Sequence, residues 1–138
     1  MIQVVPEDKY KWVPCSQVTL SVACEKTGIE YFLPISVFDA VSNSEAGYLT
    51  LRDMNKFVRA LLPIKKRKDF KRKERPLLKE LEPCRAVVCV VGHYLYMDYD
   101  KYYSFFDNEN DEVVAMWILD DDKVANNGKS ANKLNLVK

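Results

Sequence analysis

The chain carries a single histidine, His93, which opens an apolar stretch just after Gly92. Upstream, Cys15 stands at the start of a helical pattern; downstream, Asp107 follows Phe106 at the end of a strand-like run. Together these are the groups that acyl transfer through sulfur requires. A thiolate attacks a carbonyl carbon, an imidazole takes and returns the proton, and a carboxylate holds the ring in one tautomer. Each residue also has an ordinary structural use. A strand histidine is often half-buried, a helix cysteine is often core, and Asp107-Asn108 suits a turn.

The elements that must position these groups follow from periodicity. Cys15, Val18, Thr19, Val22 and Ala23 recur at helical spacing, and Thr27-Gly28 supplies the stop. Cys15 then lies in the first turn, where free N–H groups and the helix dipole favour an anion. Its thiol is expected to have a lowered pKa, with His93 as the paired imidazolium and the Cys15 N–H donating to an oxyanion. A second helix is expected from Pro34 to Val41. A third starts at Thr50, with Thr50 capping and Asp53 in the first turn, and buries Leu51, Met54, Phe57, Val58, Leu61 and Leu62 before Pro63. Residues 75–81 read as one or two helical turns before Pro83. A short strand is expected over residues 2–5. Ala86 to Val91 is an apolar run of the kind buried on both sheet faces. His93–Met97, Tyr102–Phe106 and Val113–Leu119 complete an antiparallel meander, joined by polar turns. Helices followed by a meander indicate an α+β fold. His93 and Asp107 fall on neighbouring strands of it, where a short turn could bring them together.

At 138 residues the chain is long enough for one core without disulfide support. One domain is expected over residues 1–122, with 123–138, rich in Asn and Lys, as a flexible or partner-ordered tail. The N-terminus lacks the basic-then-apolar pattern of a secretory signal, and no apolar run is long enough to span a membrane. Free thiols are therefore expected at Cys15, Cys24, Cys84 and Cys89. Their spacing, with one histidine, does not make a zinc site, so neither metal nor cofactor is expected.

Charge is unevenly spread. Residues 65–75 hold eight basic and two acidic residues, a local +6; Asp98 to Asp122 holds nine acids against Lys101, a local −8. The two segments are expected to meet within the chain or between copies, in a homo-oligomer or larger assembly. A nucleic-acid role for the basic run, with Phe70 stacking on a base, is the less favoured reading. Of Tyr94, Tyr96, Tyr99, Tyr102 and Tyr103, alternation sends about half into the core.

The run from Pro14-Cys15-Ser16-Gln17 through Thr27-Gly28-Ile29-Glu30-Tyr31 has a helix-start cysteine and then a Thr-Gly stop. With Val90-Val91-Gly92-His93-Tyr94 and Ser104-Phe105-Phe106-Asp107, it resembles small papain-like cysteine peptidases of the bacteriocin-processing, C39-like group. The likeness is to the short members encoded by bacteria and their phages, and covers roughly residues 12–119. It implies a papain-like single domain, half helical and half antiparallel sheet, and a Cys15-His93-Asp107 triad. The implied activity is cleavage of a peptide or isopeptide bond in a polypeptide substrate. Two departures stand against retained catalysis. Where such enzymes carry an oxyanion-hole glutamine, this chain has Glu7-Asp8-Lys9-Tyr10, and Ser16-Gln17 replaces the residues usual after the nucleophile. The alternative is a non-catalytic structural or interaction protein on the same fold, such as a phage virion component. Either reading places the chain in the cytoplasm or on a virion.

Overall fold

Six strands form one sheet in the order β1-β5-β4-β3-β6-β2: β1 is Ile2–Val4, β2 Ile64–Asp69, β3 Arg85–Val90, β4 His93–Asp98, β5 Lys101–Tyr103 and β6 Val113–Leu119. Every pairing is antiparallel except β1 with β5. The computed structural model describes residues 1–30 and 49–124. The helix expected from Pro34 and residues 125–138 of the expected tail lie outside the described residues; the tail's second residue, Val124, is not free but buried in the core. The main α-helices are α1 (Cys15–Thr27) and α2 (Leu51–Leu61), with a further helical turn over residues 121–124, so the fold is α+β as expected.

The helix ends follow the local chemistry. Gly28 ends α1 at φ 72°, a left-handed conformation that favours glycine, and its N–H and that of Ile29 close on carbonyls of the last turn. At the start of α2 the Thr50 hydroxyl accepts the Asp53 N–H at 3.2 Å. Helix α1 is buried around most of its circumference, including Ser16, Gln17, Val18, Thr19 and Leu20.

Strand alternation divides the core into two layers. Val87, Cys89, Tyr94, Tyr96 and Trp117 face the helices, against Leu20, Ala23, Met54 and Val58. Ala86, Val88, Val90, Leu95, Met97 and Met116 face the other way, where Leu78 and Phe70 cover them. That second cover explains why β3 is apolar at nearly every position. Between α2 and the sheet, the Trp117 indole N–H donates to Asn55 Oδ1 at 2.8 Å.

The structure adds to the sequence expectations and corrects some of them. The first half of the basic run is a strand not expected from the sequence, the edge strand β2, with Lys65, Lys66 and Lys68 exposed and Arg67 over the Trp117 ring. Residues 72–74 and 78–80 are short 3-10 turns. The basic and acidic segments do meet within the chain, as the neighbouring strands β2 and β6, but main-chain pairing joins them and no ion pair does so among the described residues. Arg67 pairs with Asp69, while Asp98 and Asp121 pair with Arg85. Finally, the meander is incomplete. β5 stops at Tyr103, and β6 returns to the far side of β3. All four cysteines are free, and no helix among the described residues is long and apolar enough to cross a membrane.

Candidate active site

Helix α1 delivers Cys15 to one end of the sheet. Pro14, at the N-cap, offers no side-chain acceptor, so the first-turn N–H groups are left unoccupied by a cap. The N–H groups of Cys15 and Ser16, together with that of Tyr94 on β4, favour the thiolate instead. Burial outweighs them and pushes the Cys15 thiol above its usual range. The helix start therefore does not lower this pKa as expected, because the sulfur is too far out of water for three dipoles to offset its desolvation.

His93 is the first residue of β4, set there by the Val91-Gly92 turn, in which Gly92 has φ 77°. Its Nε2 lies 3.0 Å from Ser104 Oγ, and its ring meets the Phe106 ring edge-on at a centroid separation of 5.5 Å. A chain of buried polar groups decides the tautomer. Asn108 Nδ2 donates to an Asp111 carboxylate oxygen at 2.7 Å, which leaves Asn108 Oδ1 as an acceptor. The Ser104 hydroxyl gives its only proton to that oxygen. Ser104 Oγ can then only accept, so Nε2 of a neutral His93 carries the hydrogen and Nδ1 carries the lone pair. Nδ1 has no hydrogen-bond partner among the described residues. Burial also lowers the His93 pKa below 6.5, with Asp111 pulling weakly the other way. The ring is a neutral base, not the expected imidazolium.

Asp107 does not hold this ring. Its Oδ1 accepts from the Tyr102 hydroxyl and from the Glu109 N–H, each at 3.2 Å. The physical cause is the early end of β5. Ser104 Oγ accepts the Phe106 N–H at 3.1 Å, closing a tight turn that pulls the chain off the sheet before Asp107 is reached. Ser104, Asn108 and Asp111 occupy the place in which Asp107 was expected. The local signal for them was the serine two residues before Phe106, a turn-former inside an otherwise strand-like run.

Cys15 and His93 both line a cleft of about 560 Å³, with Val18, Tyr103 and Phe105 among its walls. Its rim carries Trp12, 90% exposed, and Phe106, 63% exposed. No hydrogen bond joins the sulfur to the ring among the described residues. Alternation explains this. Tyr94 and Tyr96 face the helices, so His93 has the opposite parity, and sulfur and ring approach the cleft from the two sides of the strand end. They share the cleft only because β5 has stopped and left that edge open. Both also line a second, smaller cleft of about 240 Å³, bordered by Arg75, Cys89 and Val91. The geometry thus offers a thiol, a base with a defined lone pair, and two clefts that both residues line. No family model matches the chain, and no curated protein or solved structure matches it either.

Proposed function

We propose that the chain is a thiol hydrolase acting on a peptide or isopeptide bond, with Cys15 as nucleophile and His93 as base. The observation that carries this reading is that the only histidine and a helix-start cysteine border one cleft, with the histidine lone pair on its unengaged nitrogen. Substrate in the cleft draws sulfur and ring to hydrogen-bond distance, as happens where catalytic hydrogen bonds are long in the empty site. Nδ1 takes the thiol proton while sulfur bonds to the carbonyl carbon, and the oxyanion meets the Cys15 N–H. The carbon–nitrogen bond then breaks. The leaving amine takes the proton from Nδ1, and a thioester remains on Cys15. Water attacks it, giving its proton to Nδ1, and the returning proton restores the thiol as the acid product leaves.

An activated ester tests this with few demands on specificity. p-Nitrophenyl acetate should release a burst of one p-nitrophenol per chain, with the acetyl group on Cys15. Cys15→Ala should abolish the burst, and His93→Ala should slow it by about a hundredfold or more. Acetyl found on Cys84, or a rate indifferent to His93, would sink the proposal. The second reading, a non-catalytic interaction protein, draws support from the raised thiol pKa and the missing sulfur–ring hydrogen bond. It expects no burst, with the fold intact.

A further inference from the structure

We infer that the smaller cleft beside Cys15 and His93 is a carboxylate-recognition subsite built on Arg75, so that the substrate carries an acidic group there. This rests on the hydrolase reading for the word substrate, although the subsite stands on its own geometry.

Arg75 is held at that cleft by main-chain pairing. The next residue, Pro76, accepts the Val113 N–H at 2.8 Å, and Leu77 bridges Glu112. The same edge is tied to the β3–β4 turn, because the Val91 N–H donates to Glu112 O at 3.1 Å. Arg75 is thereby fixed beside Val90, Val91 and His93. Among the described residues that line the cleft it is the only fully charged side chain, and no acid faces it there. It makes no ion pair among the described residues. Its Nε is buried without a hydrogen-bond partner, a costly state for a cationic donor that a ligand oxygen would relieve. Its field also reaches the sulfur layer, since it favours the thiolate of Cys89, which in turn senses Cys15. Other cations of the basic run, such as Lys71, Arg72 and Lys73, are exposed to water. A guanidinium without an acidic partner, in a cleft whose other described lining residues are uncharged, matches a planar carboxylate. The carboxylate is either an acidic side chain or a free chain terminus.

Two alkylating agents that differ only in charge test this without a known substrate. Cys15 alkylation by iodoacetate and by iodoacetamide is followed by peptide mass spectrometry, and their rate ratio is compared with that of a small free thiol. The expected ratio exceeds the free-thiol value by about tenfold, the low end of electrostatic steering. Arg75→Gln should return it to the free-thiol value, whereas Lys73→Gln should leave it high. An ordinary ratio in the native chain, indifference to Arg75→Gln, or an equal loss in Lys73→Gln would overturn the subsite. Protection of Cys15 by acetyl-Ala-Ala with a free terminus, or by amidated acetyl-Asp-Ala, identifies the source; protection by neither also overturns it. The ester burst and its His93 dependence are separate readouts. The subsite can fail while the hydrolase stands, and the reverse.

Discussion

Ser104→Ala is the perturbation that separates the observed support of His93 from the expected one. The Ser104 side chain is 3% exposed and its hydroxyl makes three hydrogen bonds: with His93 Nε2, to Asn108 Oδ1 and from the Phe106 N–H. Alanine removes all three and leaves Asn108, itself 4% exposed, with an unpaired acceptor. At about 1 kcal/mol for each lost bond, and up to about 3 for a buried group left unpaired, the fold should lose about 2–4 kcal/mol. For a chain of this length that is a fall of about 6–12 °C in Tm. The functional effect is distinct. Without Ser104 nothing selects the tautomer with its lone pair on Nδ1, so the acylation rate should drop by about tenfold or more below the folded fraction's due. Asp107→Asn is the matched control. Asp107 is exposed, engages only Tyr102 and Glu109, and keeps a carbonyl acceptor in the variant. Its Tm should move little and its acylation rate not at all. The assays are urea unfolding and the p-nitrophenyl acetate burst measured below each variant's Tm. The reasoning is refuted if Asp107→Asn slows acylation while Ser104→Ala, still folded, does not.

Acylation should rise with pH through a midpoint below 6.5, because burial lowers the His93 pKa and the neutral base is what the proposed reaction needs; a midpoint above 6.5 in a stopped-flow pH profile would contradict this. Alkali should weaken the fold. Cys24 and Cys89 are pushed from 9.0 to about 11 by burial, so below pH 9 both thiols are protonated in either state, and between 9 and 11 only the unfolded chain releases its protons. Stability therefore declines across that window by about 2–3 kcal/mol for each thiol, and urea midpoints should fall less steeply with pH in Cys24→Ala than in the native chain. Gly92→Ala should cost about 1–2 kcal/mol through its left-handed backbone alone, since a Cβ there meets nothing within 4 Å; a neutral result in chemical denaturation would contradict the strain. Asn55→Leu strands the Trp117 indole N–H in the core and should cost about 1–3 kcal/mol, read by urea unfolding.

How much of this was legible follows from how many neighbours each element has. Helix α1 and strand β3 are covered on most sides and helix α2 along one stripe through Met54 and Val58, so their sequences carry the pattern of what they bury, and the helix ends carry Gly28 and Thr50 as local punctuation. Strand β2 is an edge and pairs only with β6. Of its residues, Ile64 and Arg67 turn partly inward, and the rest are lysines and an aspartate in water. Lysine on an edge discourages pairing with other chains, and it also erases the apolar alternation by which a strand is recognised. The basic run thus shows in the sequence as charge alone, and the strand in its first half is hidden by it.

The site shows the same limit at the scale of one residue. The types and order of Cys15 and His93 indicated a sulfur–imidazole pair, and the fold brings both to one cleft. What the order could not carry was parity and strand length. Tyr102-Tyr103-Ser104-Phe105-Phe106 has strand composition apart from its serine, yet the Ser104 hydroxyl captures the Phe106 N–H and ends the ladder at Tyr103. That single local bond has three consequences. It displaces Asp107 from the ring, it presents Ser104 to Nε2 in its place, and it opens the sheet edge through which a ring of the wrong parity still reaches the cleft of Cys15. The chemistry of the site therefore hangs on where β5 stops. A hydroxyl at position 104 is the feature that links fold and proposed reaction, and Ser104→Thr, which keeps it, should preserve the burst that Ser104→Ala diminishes.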